Sequence, residues 1–195
     1  IAYHIPATLK LKGALSREHL EKAFGEVVNR HEALRTVIRL KDGQAYQHIQ
    51  DAVSWKIEFA EAGDFGNETI LQQYINNLIS RPYDLSEDQM LRTALLRISG
   101  EEHLLVVVIH HIAADGWSVV LLMNEVLKLY QDLQEGRRFE LPAPEIQYAD
   151  YAIWQRKYLD GPVLEQKLDY WKRSLQGVPT LELPVDFPRP AIQQT

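Results

Sequence analysis

Apolar and polar residues alternate from the start of the chain: Ile5, Ala7, Leu9 and Leu11 are separated by Pro6, Thr8 and Lys10. A period of two predicts a half-buried strand, ending near Gly13. The period then lengthens. Leu20, Ala23, Phe24, Val27 and Val28 fall at i, i+3, i+4, i+7 and i+8, which predicts a helix with one buried face, and Ser16 is placed to cap it. Leu34 to Lys41 and Gln44 to Gln50 read as strands joined at Asp42-Gly43, where both residues tolerate positive φ. Val53, Trp55, Ile57 and Phe59 alternate again and predict another strand. Gly63 to Asn67 reads as a loop. Ile70, Leu71, Tyr74, Ile75, Leu78 and Ile79 predict a second amphipathic helix, which must stop before Pro82.

Leu91 to Ile98 reads as a strand, and Ser99-Gly100 begins a turn. Leu104 to Ile109 is a continuous apolar run rich in valine, as expected of a strand covered on both faces. Helices are predicted from about Trp117 to Gln134, Tyr148 to Leu159 and Val163 to Gln176. Leu183 to Pro190 carries three prolines and reads as an extended linker. Strands and helices interleave, so the fold class is α/β.

The 195 residues suffice for one sizeable core. A net charge of -6 offers no basic field to hold a polyphosphate, so nucleic acid is not an expected partner. With no cysteine, disulfides, thiolate metal sites and a cysteine nucleophile are excluded. That composition fits a reducing compartment, and a cytoplasmic location is expected. The longest apolar run, Leu104 to Ile109, is too short to span a bilayer, so no membrane partner is expected. The chain opens on Ile1 with no signal-peptide pattern, and reads as a piece cut from a longer polypeptide.

The chemistry concentrates in one segment. His110-His111-Ile112-Ala113-Ala114-Asp115-Gly116 lies where the buried strand gives way to a helix. A strand end presents side chains beside the free amides of the next helix. If the strand persists through the pair, the two imidazoles point to opposite faces, one into a cleft and one inward. Adjacent histidines are poorly placed to chelate one ion, and the i, i+4 spacing of a zinc helix is missing, so no metal is expected. An imidazole exchanges a proton near neutrality, which suits activation of an attacking amine. Asp115 has the chemistry to orient the loop, and Gly116 to let the backbone turn or approach a ligand. The competing reading is a structural turn with a satisfied core histidine.

His110 to Ser118, read as His-His-Ile-Ala-Ala-Asp-Gly-Trp-Ser, resembles the HHxxxDGWS motif of non-ribosomal peptide synthetase condensation domains. Three further stretches are similar to that family in order and spacing. Arg30-His31-Glu32-Ala33-Leu34-Arg35-Thr36 resembles RHExLRT, and Tyr148-Ala149-Asp150-Tyr151-Ala152-Ile153-Trp154 resembles YxDYAxW. Arg81-Pro82-Tyr83-Asp84-Leu85, followed by Leu91-Arg92, resembles the family's segment ahead of a central strand. The family's opening motif, built around Ser-x-Ala-Gln-x-Arg, has no counterpart.

The resemblance implies a chloramphenicol-acetyltransferase-like sandwich: a mixed sheet packed with helices, forming one lobe of a two-lobed, V-shaped domain. Residues 1–182 would be the N-terminal lobe, and residues 183–195 the linker toward a C-terminal lobe. It implies amide formation between a donor thioester and an acceptor amine, each carried on phosphopantetheine by a peptidyl carrier protein, beside an adenylation domain. The lobe would bind no cofactor of its own and be inactive alone. His111 would face the reaction centre as base or amine-positioning group, with the Gly116 amide close by. His110, Asp115, Trp117 and Ser118 would support the site, and Arg30 or Arg35 would partner Asp115, unless that partner lies in the other lobe. An epimerisation domain and a free-standing acyltransferase share the histidine motif; a non-catalytic interaction domain is the alternative of a different class.

Other features read more plainly. Tyr148, Tyr151 and Trp154 form a stripe expected to pack. His31 and His103 read as structural or solvent-facing, and Arg137-Arg138 as solvated charges.

Overall fold

A computed structural model describes residues 2–52, 54–65, 67–138, 141–181 and 183–188. The chain divides into two compact units, one spanning Tyr3–Tyr148 and the other running from Ala149 onward.

The first unit is built on a mixed sheet. Strand β1 (His4–Lys12) pairs antiparallel with β6 (Glu102–His110), β6 with β5 (Leu91–Arg97), and β5 runs parallel to β4 (Glu58–Glu61). The alternation of β6 is used in full. Leu105, Val107 and Ile109 point to one face, where they pack with Leu20, Phe24 and Val28 of α1 (Arg17–Arg30) and Leu122, Val126 and Leu129 of α3 (Gly116–Gln134). Val106 and Val108 point to the other, with Leu71 and Ile75 of α2 (Glu68–Ser80). A strand with helices on both sides has no face left for polar residues, which is why this run is continuous.

A separate hairpin, β2 (Thr36–Lys41) and β3 (Gln44–Ile49), turns at Asp42 (φ 52°) and Gly43 (φ 76°), as Asp-Gly predicts. Ser16 caps α1 by accepting the His19 amide at 3.2 Å.

Three boundaries differ from the sequence pattern. The strand expected from Leu34 starts at Thr36, because Glu32–Arg35 closes a 3-10 turn after α1. The strand expected over 53–59 pairs only at Glu58–Glu61. Val53 lies outside the described residues; Trp55 and Ile57 are committed elsewhere, as the Trp55 indole donates to Thr93 Oγ1 (3.0 Å) and the Ile57 amide to Glu21 (3.3 Å). The loop expected at 63–67 holds a 3-10 turn at Ala62–Phe65, and Asn67 caps α2.

The second unit contains α5 (Gly161–Ser174) and nearly all of α4 (Tyr148–Tyr158). Neither helix buries a residue. Part of the aromatic stripe packs along α4 itself: Trp154 lies 5.7 Å from Tyr151 and stacks on Tyr158 at 5.2 Å and 7°.

Candidate active site at the end of β6

Strand β6 runs into the candidate site. Its last residue, His110, faces the α2 side of the sheet, the parity of Val106 and Val108. There its ring lies 5.4 Å from Tyr83, 5.9 Å from His4 and 6.2 Å from Tyr3. Burial, then the nearby charges of His4 and His111, holds the His110 imidazole below the ordinary histidine value. Its Nδ1 accepts the Ile112 amide at 3.1 Å, and its carbonyl accepts the Ala113 amide at 3.0 Å. Those bonds fold 110–113 into a turn. Strand β6 ends at His110, and the His111 amide makes one last in-register bond, to the Tyr3 carbonyl opposite it, at 2.7 Å.

The turn separates the two imidazoles. His111 is exposed and, with Ala33, Ile112, Asp115, Ser118 and Tyr148, lines a cleft of about 170 Å³. This cleft shares Ala33, Ala113, Ala114, Ser118 and Tyr148 with a neighbouring one of about 290 Å³, walled by Leu121, Leu122, Pro144 and Ile146. Histidine Nε2 or Nδ1 on such a cleft can take a proton from, or hold, an amine seated there.

Asp115 starts α3. Its carboxylate accepts the Ser118 amide at 2.8 Å and the Ser118 hydroxyl at 2.6 Å. Those hydrogen bonds keep its carboxyl below the usual aspartate value, so it is ionised at neutral pH and lies at the positive end of a 19-residue helix. Gly116 is the first residue of α3. Its φ is not left-handed, so a tight turn is not what requires glycine there; a Cβ would project into open space. The position leaves room for a ligand to approach the backbone.

The remaining candidates fall into two groups. Ser118 supports Asp115, whereas Trp117, expected to brace the loop, is 80% exposed. The arginines expected beneath Asp115 are engaged elsewhere. Arg30 donates to Glu125 of α3 at 3.3 Å, and Arg35 reaches the Gln50 carbonyl and, at 3.6 Å, Glu32. Both lie around the 3-10 turn at the end of α1, where Glu125, Glu32 and the Gln50 carbonyl serve as their acceptors. Glu125 also binds His31 Nε2 at 2.6 Å, so His31 is a clamp between α1 and α3. His103 is buried, and Arg137 pairs with Asp132 at 2.7 Å. Sequence reasoning missed Glu125, His4 and the role of Tyr83; only Tyr83 lay inside a recognised motif.

Among the described residues no group of three or more His, Asp or Glu side chains is arranged to hold a metal ion, and no helix is long and apolar enough to cross a membrane.

A mixed sheet covered by helices on both faces, ending in a histidine pair at a strand-to-helix turn, defines a lobe of the chloramphenicol-acetyltransferase-like class. The chain belongs to the condensation-domain family, whose model matches residues 1–195. It is 40% identical over 195 residues to a linear gramicidin synthase of Brevibacillus parabrevis, covering 98% of this chain and 2% of that protein. It is 35% identical to a surfactin synthase of Bacillus subtilis (strain 168), covering 98% of this chain and 5% of that protein. Among solved structures, the X-domain from teicoplanin biosynthesis superposes with a TM-score of 0.86 at 32% identity, covering 97% of this chain and 42% of that one. An epimerization domain from the third module of a tyrocidine synthetase superposes at 0.82 over 96% of this chain and 42% of that one; at 24% identity it speaks for the fold alone. The chain thus spans a small part of the synthases it matches and under half of the solved domains.

Proposed function

We propose that this chain is the histidine-bearing lobe of a condensation domain that forms amide bonds between carrier-bound substrates. The observation that carries the reading is the placement of His111, exposed on a cleft at the end of a rigid, doubly covered strand, beside the Asp115-capped start of α3. In this reading a donor acyl group arrives as a phosphopantetheine thioester on one carrier protein, and an aminoacyl group on another. The acceptor amine attacks the thioester carbonyl. The C–N bond forms, the C–S bond breaks, and the amine proton passes by way of His111 to the departing thiolate. His111 accelerates the step by taking the proton or by holding the amine in line. The Gly116 amide borders the reacting groups, and Asp115 with Ser118 keeps the start of α3 in place.

The lobe supplies one wall of the site. A C-terminal lobe, reached through the segment from Leu183, supplies the other, and the lobe alone is inactive. An adenylation domain loads the carriers, no cofactor is held by the lobe itself, and the location is cytoplasmic. Support comes from the family match and from the gramicidin and surfactin synthases among its relatives.

The test is amide synthesis by the intact parent domain with two loaded carrier proteins, read by mass spectrometry. His111→Ala is expected to lose about a hundredfold or more in rate while staying folded, the scale of a general-base or positioning group. Full activity in that variant overturns the site. Inversion of an α-carbon without amide formation would replace the reading with epimerisation, and turnover of coenzyme A thioesters without carriers with a free-standing acyltransferase. A second reading, a protein-binding domain, draws on the teicoplanin X-domain, which has been solved in complex with OxyB. Partner binding with no amide product would favour it.

A further inference from the structure

The His111 cleft lies on the α1/α3 side of the sheet, but the turn carrying His111 is held from the opposite side. There, β1, the end of α2 and the segment before β5 meet around His110. His4 opposes His110 across the β1–β6 ladder. The His4 ring is fixed at one end, since its Nδ1–H donates to the Ile79 carbonyl at 2.7 Å. It stands edge-on to Tyr83 (5.1 Å, 81°) and tilted to His110 (5.9 Å, 64°). Tyr83 closes the triangle at 5.4 Å and 71° from His110.

Tyr83 is itself anchored twice. Its hydroxyl donates to the Val108 carbonyl at 2.8 Å, two residues before His110. The Arg92 guanidinium lies over its ring at 3.6 Å and donates to the carbonyls of Arg81 (2.6 Å) and Pro82 (2.7 Å) and to Asp88 (2.7 Å). Three hydrogen bonds and a stacked ring leave the 81–83 segment little freedom, and the bond to Asp88 holds the guanidinium in place. Burial pushes the Tyr83 phenol up to about 12, so it stays a neutral donor at any working pH.

These contacts decide what His110 can do. Its Nδ1 accepts the Ile112 amide, so that nitrogen carries no proton and the neutral ring holds its proton on Nε2. A ring free to rotate or to change tautomer would lose that bond and leave the 110–113 turn closed by the Ala113 amide alone. His111 stands on that turn, with its amide tied to Tyr3, the residue just before His4.

We propose that His4 and Tyr83 are positioning residues for His111: they lock the His110 ring in the orientation that receives the Ile112 amide, and so set where the His111 imidazole stands in the cleft. The proposal rests on the reading of His111 as the reacting-site histidine. Neither residue touches the cleft. Their effect reaches it through one ring and one hydrogen bond.

The experiment compares His4→Leu, Tyr83→Leu and Tyr83→Phe with wild type in the intact parent domain, by steady-state amide synthesis, thermal unfolding, and NMR of ¹⁵N-labelled histidine. Wild type should show His110 as a single Nε2–H tautomer with a slowly exchanging Ile112 amide. Each leucine variant should mix the tautomers, speed exchange at Ile112, and lower kcat about tenfold to a hundredfold with KM changed by less than about threefold, the pattern of a displaced reacting group. Tyr83→Phe keeps the ring edge against His110 and should recover a large part of kcat. If the leucine variants fold and retain kcat, or lose it only through KM, the proposal is overturned; if Tyr83→Leu does not fold, His4→Leu decides it alone. If wild type makes no amide, the proposed function fails on its own. The tautomer and the Ile112 exchange then judge the positioning claim, which falls if neither changes in the variants.

Discussion

Gly25 sits in the middle of α1, and replacing it with alanine sets two effects of similar size against each other. In an exposed helix interior the change should stabilise by about 0.8–1 kcal/mol, because glycine loses more backbone freedom on folding than alanine. Here a Cβ on Gly25 would lie 3.2 Å from Trp55 Cβ, a few tenths of an ångström inside normal carbon contact. The outcome depends on whether Trp55 can retreat. Its indole donates to Thr93 Oγ1 at 3.0 Å, the adjoining Ile57 amide donates to Glu21, and Arg17 reaches the Ile57 carbonyl at 3.2 Å. The 55–57 segment is thus stapled to both α1 and β5. Moving it stretches the bond to a Thr93 that is only 5% exposed, and an unsatisfied hydroxyl there costs about 1–3 kcal/mol. Overpacking of this kind costs about 1–3 kcal/mol in general. The clash should win. Gly25→Ala is expected to destabilise by about 1 kcal/mol, lowering Tm by roughly 2–4 °C in a protein of this size. Thermal and urea denaturation of wild type and variant measure it directly. A raised Tm would refute the reasoning, showing that the wall at Trp55 is soft and that helix propensity governs the site.

Glu125→Ala removes the acceptor shared by His31 and Arg30, which ties α3 to the end of α1. With these side chains 18% to 35% exposed, solvent screening limits the loss to about 1–2 kcal/mol, read as a lower denaturation midpoint. Asp115→Ala should loosen the first turn of α3 and reduce amide synthesis, while Asp115→Asn keeps an N-cap acceptor and most of the helix; Ser118 amide exchange distinguishes them. The pH dependence of that cap has a definite sign. The folded carboxyl lies below its ordinary value of 3.8, so its contribution is complete above that value and is lost as pH falls through the lower folded one. The Ser118 amide shift should stay flat from about pH 5 to 8, and a titration within that window would contradict the assignment.

Several parts of this protein are set by local pattern. The helices α1 to α5, the Asp42-Gly43 hairpin and the two-sided β6 follow from residue spacing, because each needs only the chain's own periodicity and turn chemistry. The histidine segment is partly legible in the same way: strand parity continued through the pair would send His110 and His111 apart, and an aspartate before a helix is a cap. Other features were decided by tertiary structure. The pairing of β1 with β6 joins residues about a hundred positions apart, which no local signal encodes. The alternation at 55–59 has the period of a strand, yet the Ile57 amide and carbonyl are taken by the Glu21 and Arg17 side chains, and the ladder begins only at Glu58. Arg30 pairs with Glu125 rather than with Asp115, and a contact across 95 residues is set by packing, not by local pattern. His4 is the clearest case. In the sequence it is an isolated imidazole near the start of the chain, and it meets His110 and Tyr83 only because the sheet places the first strand beside the sixth.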